Sequence, residues 1–177
     1  MMNFLKAGVL ALAVCGLAYV SPAEAQTHTR VDAKRDWSVF EAAGEGAKVC
    51  WIVSQPLKTV ALRGGQQVEV RRGDIFLMVA VRPADGVKNE VSYIAGYPFR
   101  PGSNVEAKVG SSTLTMFTDG ENAWFKSPDE DARAIGVFRA GSQIELRGTS
   151  SRGTTTVDTF SLLGFTAALE AAQARCG

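Results

Sequence analysis

The chain has 177 residues, with 19 Lys and Arg against 18 Asp and Glu and a single histidine. A net charge of +1 without a basic stripe excludes nucleic acid as an expected partner and gives no electrostatic adhesion to a membrane surface. That one histidine, His28, lies in a polar stretch near the N-terminus. A Ser-His-Asp triad or a zinc site in the folded part therefore lacks its residues.

The first 25 residues read as a secretory signal. Lys6 supplies a positive start, Ala7 to Val20 is an apolar run broken only by glycines, and Ala23-Glu24-Ala25 has the small-x-small pattern of a signal peptidase site. The run falls short of the roughly 20 residues that span a bilayer. An uncleaved anchor is the alternative. Leu12-Ala13-Val14-Cys15 loosely resembles a lipoprotein cleavage box, although valine suits the position before the cysteine poorly. Cleavage after Ala25 removes one lysine and one glutamate, so the charge stays +1. Residues 26–35 are polar and read as a flexible leader. Residues 36–177 read as one β-rich domain, long enough to bury a core.

Cys15 leaves with the signal, so Cys50 and Cys176 are left. An even count in an exported chain predicts a Cys50–Cys176 disulfide. Two separate buried thiols are the other reading.

In chain order, Val49 to Val53 is a short apolar run of strand type. Gln67 to Arg71 alternates, with Val68 and Val70 on one side, and predicts a half-buried strand. Ile75 to Val81 is apolar throughout and predicts a central strand buried on both faces. Val105, Ala107 and Val109 alternate with charged residues, and Ser112 to Thr118 and Gln143 to Gly148 read the same way, with Ile144 and Leu146 inward. Turn residues separate these runs at Gly64-Gly65, Arg72-Gly73-Asp74, Pro83 to Gly86, Pro101-Gly102 and Asp119-Gly120. Strands at intervals of roughly ten residues predict a mainly β fold, an antiparallel β-sandwich or barrel.

Two helices interrupt the pattern. Ser127-Pro128-Asp129-Glu130 is a capping box with proline at the first helical position, and predicts a helix through Phe138 that stops at Gly141. A second helix is predicted from near Ser161. Leu162, Phe165, Leu169, Ala172 and Cys176 then form one apolar stripe, so packing on the sheet and the bridge to Cys50 ask for the same geometry.

Chemistry is sparse. The chain has no G-x-S-x-G elbow, no C-x-x-C and no glycine-rich phosphate loop. Asp119, Glu121, Asp129, Glu130 and Asp131 cluster in sequence, but a helix start and a turn account for most of them. No catalytic residue, metal site or cofactor is expected. Arg72-Gly73-Asp74 spells an adhesion tripeptide, but three residues recur by chance and a β-turn, needed before the buried strand in any case, is the better explanation. Tyr97-Pro98-Phe99 is the least strand-like aromatic group; Tyr97, Phe99 and Trp124 are the candidate ligand-contacting residues, against the alternative that they are core.

Several segments together resemble the invasion-associated locus B family. They are Ser151-Arg152-Gly153-Thr154; Asp158 to Phe165; Ala167-Ala168 with the terminal Cys176; Arg72-Gly73-Asp74 before an apolar strand ending Arg82-Pro83; Gly96-Tyr97-Pro98-Phe99; Phe117-Thr118-Asp119-Gly120; and Cys50-Trp51. The likeness spans about residues 36 to 176. It implies an exported periplasmic or envelope-associated β-sandwich without known catalytic residues. The expectation is a non-enzymatic protein that binds an envelope or surface macromolecule or supports the envelope, with a role toward host cells by family name alone. A periplasmic small-ligand-binding domain is the alternative. No transmembrane segment is expected in the mature chain.

Overall fold

The computed structural model describes residues 28–42 and 48–177. The expected signal sequence, its expected cleavage site after Ala25 and the first residues of the expected leader lie outside the described residues. The elements are β1 (His28–Lys34), β2 (Trp37–Ala42), β3 (Val49–Ser54), β4 (Lys58–Arg63), β5 (Gln66–Gln67), β6 (Phe76–Arg82), β7 (Val87–Ile94), β8 (Asn104–Val109), β9 (Ser112–Asp119), β10 (Asn122–Trp124), α1 (Pro128–Ala140), β11 (Gln143–Thr149), β12 (Thr155–Ser161) and α2 (Phe165–Cys176). Mainly β with one internal and one C-terminal helix is the architecture the sequence predicts.

The strands form one 12-stranded antiparallel sheet, ordered β1-β2-β3-β6-β7-β10-β9-β8-β11-β12-β4-β5. The sheet does not close, but it curls so that its two halves face each other. Trp37 of β2 donates its indole N–H to the Ser161 carbonyl at the end of β12, 3.0 Å away, and Tyr93 of β7 meets Phe160 of β12 edge to face. The core fills the space between the halves. Val39, Ile52, Leu77, Val79 and Val91 come from one half and Val105, Ala107, Ile144 and Leu146 from the other, all fully or almost fully buried. In β8 and β11 every second residue is buried, the period of two that follows when successive side chains leave a strand on opposite faces.

Both helices lie on this inner side. Phe165 of α2 packs edge-on against Trp37 and against Phe138 of α1. Leu162, Phe165, Leu169, Ala172 and Cys176 are all buried. Cys50 and Cys176 are bridged with their Cα atoms 5.8 Å apart, across a separation of 126 residues. Helix α1 starts as expected: the Ser127 hydroxyl accepts the Glu130 N–H, and Gly141 ends it.

Four expectations need correction. From His28 the leader is strand, because β1 pairs with β2 along its whole length despite its polar composition. Residues 68–71 are not strand; β5 is only two residues long, no strand lies beyond it among the described residues, and Val70 is 39% exposed. Strand β6 is fully buried on one face only, with Phe76, Met78 and Ala80 half-buried on the other. Helix α2 begins at Phe165, not near Ser161. Ser161 and the residues before it belong to β12, and Gly164 turns the chain at φ +91°, where an added Cβ would stand 2.0 Å from the Lys34 carbonyl oxygen.

Candidate functional site

Arg72 sits where the chain enters β6, and its side chain is folded inward. Gly73 donates its N–H to the Gly96 carbonyl at 2.9 Å, which sets Arg72 beside the end of β7. The guanidinium forks onto Asp158 of β12, with Nη1 to Oδ1 at 2.7 Å and Nη2 to Oδ2 at 2.5 Å. Its Nε and Nη2 also donate to the Ala95 carbonyl at 2.9 and 2.7 Å. The Tyr93 hydroxyl donates a short hydrogen bond to Asp158 Oδ2. Tyr97 lies over the guanidinium with its ring centre 4.9 Å away, and its hydroxyl pairs with that of Thr156 at 2.7 Å.

Asp158 has no solvent exposure and the Arg72 side chain only 7%. Burial works against the Arg72 charge, but the hydrogen bonds and charge of Asp158 more than offset it, so the arginine is held above its ordinary range. Burial, then the charge of Asp158, pushes the Tyr93 hydroxyl well above its ordinary range, so it stays protonated and can donate. The pair thus clamps β12 to the end of β7 across the core. In the tripeptide at residues 72–74, Gly73 and Asp74 are exposed, but the arginine is consumed inside the molecule.

Above this clamp lies an open cleft of about 390 Å³. The β11–β12 hairpin forms one wall, with Ser150 and Thr154 tied across its turn. Residues 69–72 and the loop 96–98 form the others. Arg63, at the end of β4, donates from Nε and Nη2 to the hydroxyl of Thr154 at 3.2 and 2.9 Å. Arg71 and Arg152 are exposed at the cleft. Among the described residues, Arg63, Arg71 and Arg152 have no carboxylate at ion-pair distance. Two glutamates, Glu69 and Glu121, also line the cleft.

The aromatic candidates separate. Tyr97 lines the cleft, whereas Phe99 is 5% exposed and packs on Gly148 of β11, where an added Cβ would come within 2.6 Å of the ring. Phe99 is therefore core and out of reach of a ligand. Trp124 lies on β10, on the outer face, beside Phe117 at 5.7 Å. The acidic residues also divide: Asp119, Asp129 and Asp131 border a broad open hollow next to Trp124, and Glu121 belongs to the cleft. Sequence reasoning missed Arg63, Arg71, Arg152 and Asp158. The adjacent arginines 71 and 72 were the available signal, but only the fold sends one inward and leaves the other outside.

The outer face of the sheet has two characters. Partners in register point to the same side, so Ser38, Val53, Met78, Ser92, Trp124 and Phe117 form one row across six strands. Beside it Phe40 stacks on Trp51 at 5.6 Å, next to Ala80. These apolar residues are half-buried, and no described helix covers them. Farther along, β8 and β11 place Glu106 opposite Arg147 and Lys108 opposite Glu145 in register, an ordinary charged surface.

The family model for invasion associated locus B (IalB) protein matches residues 37–173. None of the curated proteins compared with the chain matches it. Among solved structures, the crystal structure of invasion associated protein B from Bartonella henselae is similar, with a TM-score of 0.53 and 18% identity over 81% of this chain and 96% of that one. That likeness is one of fold. The match over residues 37–173, on the strands, clamp and C-terminal helix described above, places this chain in the invasion associated locus B (IalB) protein family.

Proposed function

We propose that this is an exported, non-enzymatic protein of the bacterial periplasm or envelope that binds another macromolecule through the apolar half of its outer face. The carrying observation is the contrast between the row Val53, Met78, Trp124 and Phe117, with the stacked Phe40 and Trp51, and the charged β8–β11 surface. Apolar side chains gathered on one face, here interrupted only by Ser92 between Met78 and Trp124, are a usual mark of a docking site. Among the described residues the neighbouring edge of β1 has no strand beyond it, and Arg30, Asp32 and Lys34 keep it from pairing indiscriminately. The disulfide agrees with an oxidising compartment. Association with host cells enters this proposal by the family's name alone.

Crosslinking in intact cells, followed by pull-down and mass spectrometry, tests it. A recurrent envelope or surface partner is expected. Replacing Phe40 and Trp51 together by glutamate should lose that partner while leaving the melting temperature near the parent's. Undiminished capture by this variant would overturn the docking face.

A second reading, a small-ligand-binding domain, is favoured by the cleft beside Tyr97. A thermal-shift screen of metabolite classes against the purified protein tests that reading.

A further inference from the structure

Resting on the small-ligand reading, we infer that the cleft between the β11–β12 hairpin and residues 69–72 takes a small organic carboxylate with an apolar body, its charged head held by Arg71, Arg152 and Arg63. The geometry assigns each lining group a part. Arg72 is spent on Asp158 and serves as floor. Arg63 leans on a neutral hydroxyl, and among the described residues Arg71 and Arg152 stand at the opening without a carboxylate partner. Three guanidinium groups line one cleft, and the planar fork of each matches a carboxylate in two hydrogen bonds. Ser151 and Thr154 supply further polar contacts.

The remaining wall is apolar. Val70 is 39% exposed at the cleft, and the Tyr97 ring and Pro98 continue that surface. An exposed valine beside unpaired arginines suits a ligand that is charged at one end and hydrocarbon at the other. Glu69 and Glu121 disfavour a ligand carrying dense negative charge, which selects a single carboxylate over a phosphate. The cleft's roughly 390 Å³ lies within the range usual for small-molecule sites.

Isothermal titration calorimetry of the purified protein with octanoate, phenylacetate and inorganic phosphate tests this. Octanoate or phenylacetate should bind and phosphate should not. Replacing Arg71 and Arg152 together by glutamine should weaken binding by about tenfold or more, as loss of charge-assisted pairs demands. Val70→Ser should weaken octanoate binding by several fold. All three side chains are exposed, so unchanged melting temperatures separate a binding effect from unfolding. Carboxylate binding that ignores these substitutions would overturn the cleft assignment while leaving the small-ligand reading in place. Phosphate binding as tight as octanoate would overturn the ligand class. Failure of all three probes would overturn this inference, and failure of the wider metabolite screen would remove the small-ligand reading as well.

Discussion

Arg72 and Asp158 are separated by 86 positions and meet as a buried ion pair with every oxygen of the carboxylate engaged. Such a pair adds little net stability over apolar residues of the same shape, because desolvation consumes most of the attraction. Breaking it from one side is different, since the surviving charge stays buried without a partner. Asp158→Ala should therefore lower the unfolding free energy by about 3–5 kcal/mol, measured by urea denaturation. Tyr93→Phe, which removes one donor, should cost about 1–3 kcal/mol. If Asp158→Ala cost no more than Tyr93→Phe, the clamp would be a surface decoration rather than a buried tie. None of this is legible locally. Arg72-Gly73-Asp74 reads as a turn, and the aspartate that claims its arginine sits in a threonine-rich strand whose polar inward residues hide its period.

At the scale of elements, β8, β9, β11 and α1 were readable because each carries its whole signal within its own residues. The strands alternate cleanly, and the helix has a cap, a proline and a stop. Strands β1, β4, β7 and β12 carry polar residues on both sides and are held by neighbours far away in the chain. One inter-element tie predicts pH dependence. Asp131 of α1 accepts the Val91 N–H of β7 at 2.9 Å, and burial, aided by the charges of Glu90 and Glu130, pushes its carboxyl up to about 6. Its folded value exceeds its unfolded one, so its contribution is complete below the unfolded value of 3.8 and is lost as pH rises through about 6. Asp131→Asn keeps an acceptor for Val91 and carries no charge. It should be more stable than the parent at pH 8, by about 1–2 kcal/mol after allowance for partial exposure, and no more stable at pH 3.5. Thermal melts at both values check this; a gain of equal size at each would mean that the charge of Asp131 is irrelevant.

The described residues form one curled sheet with two helices on its inner side, and a disulfide ties the third strand to the C-terminal helix. The bridge from β3 to the last turn of α2 spans almost the entire described domain. In the chain-entropy account a loop of that size contributes about 4–5 kcal/mol, with measured values often lower. Replacing Cys50 and Cys176 together by serine should lower the unfolding free energy by about 2–5 kcal/mol in urea, and reductant should lower the parent to the same level without affecting the variant. A parent indifferent to reductant would show the bridge to be thermodynamically idle.

The cysteine pair, the β class and the two helices were determined by the sequence alone, because cysteine parity, period and capping are all local or countable. Tertiary structure alone decided which of two adjacent arginines is buried. It also brought residues 72, 96–98 and 150–156 together into one cleft and gathered half-apolar strands into a single outer face. Those outcomes depend on sheet order and curl, which set distances between residues far apart in the chain, and no local pattern encodes them.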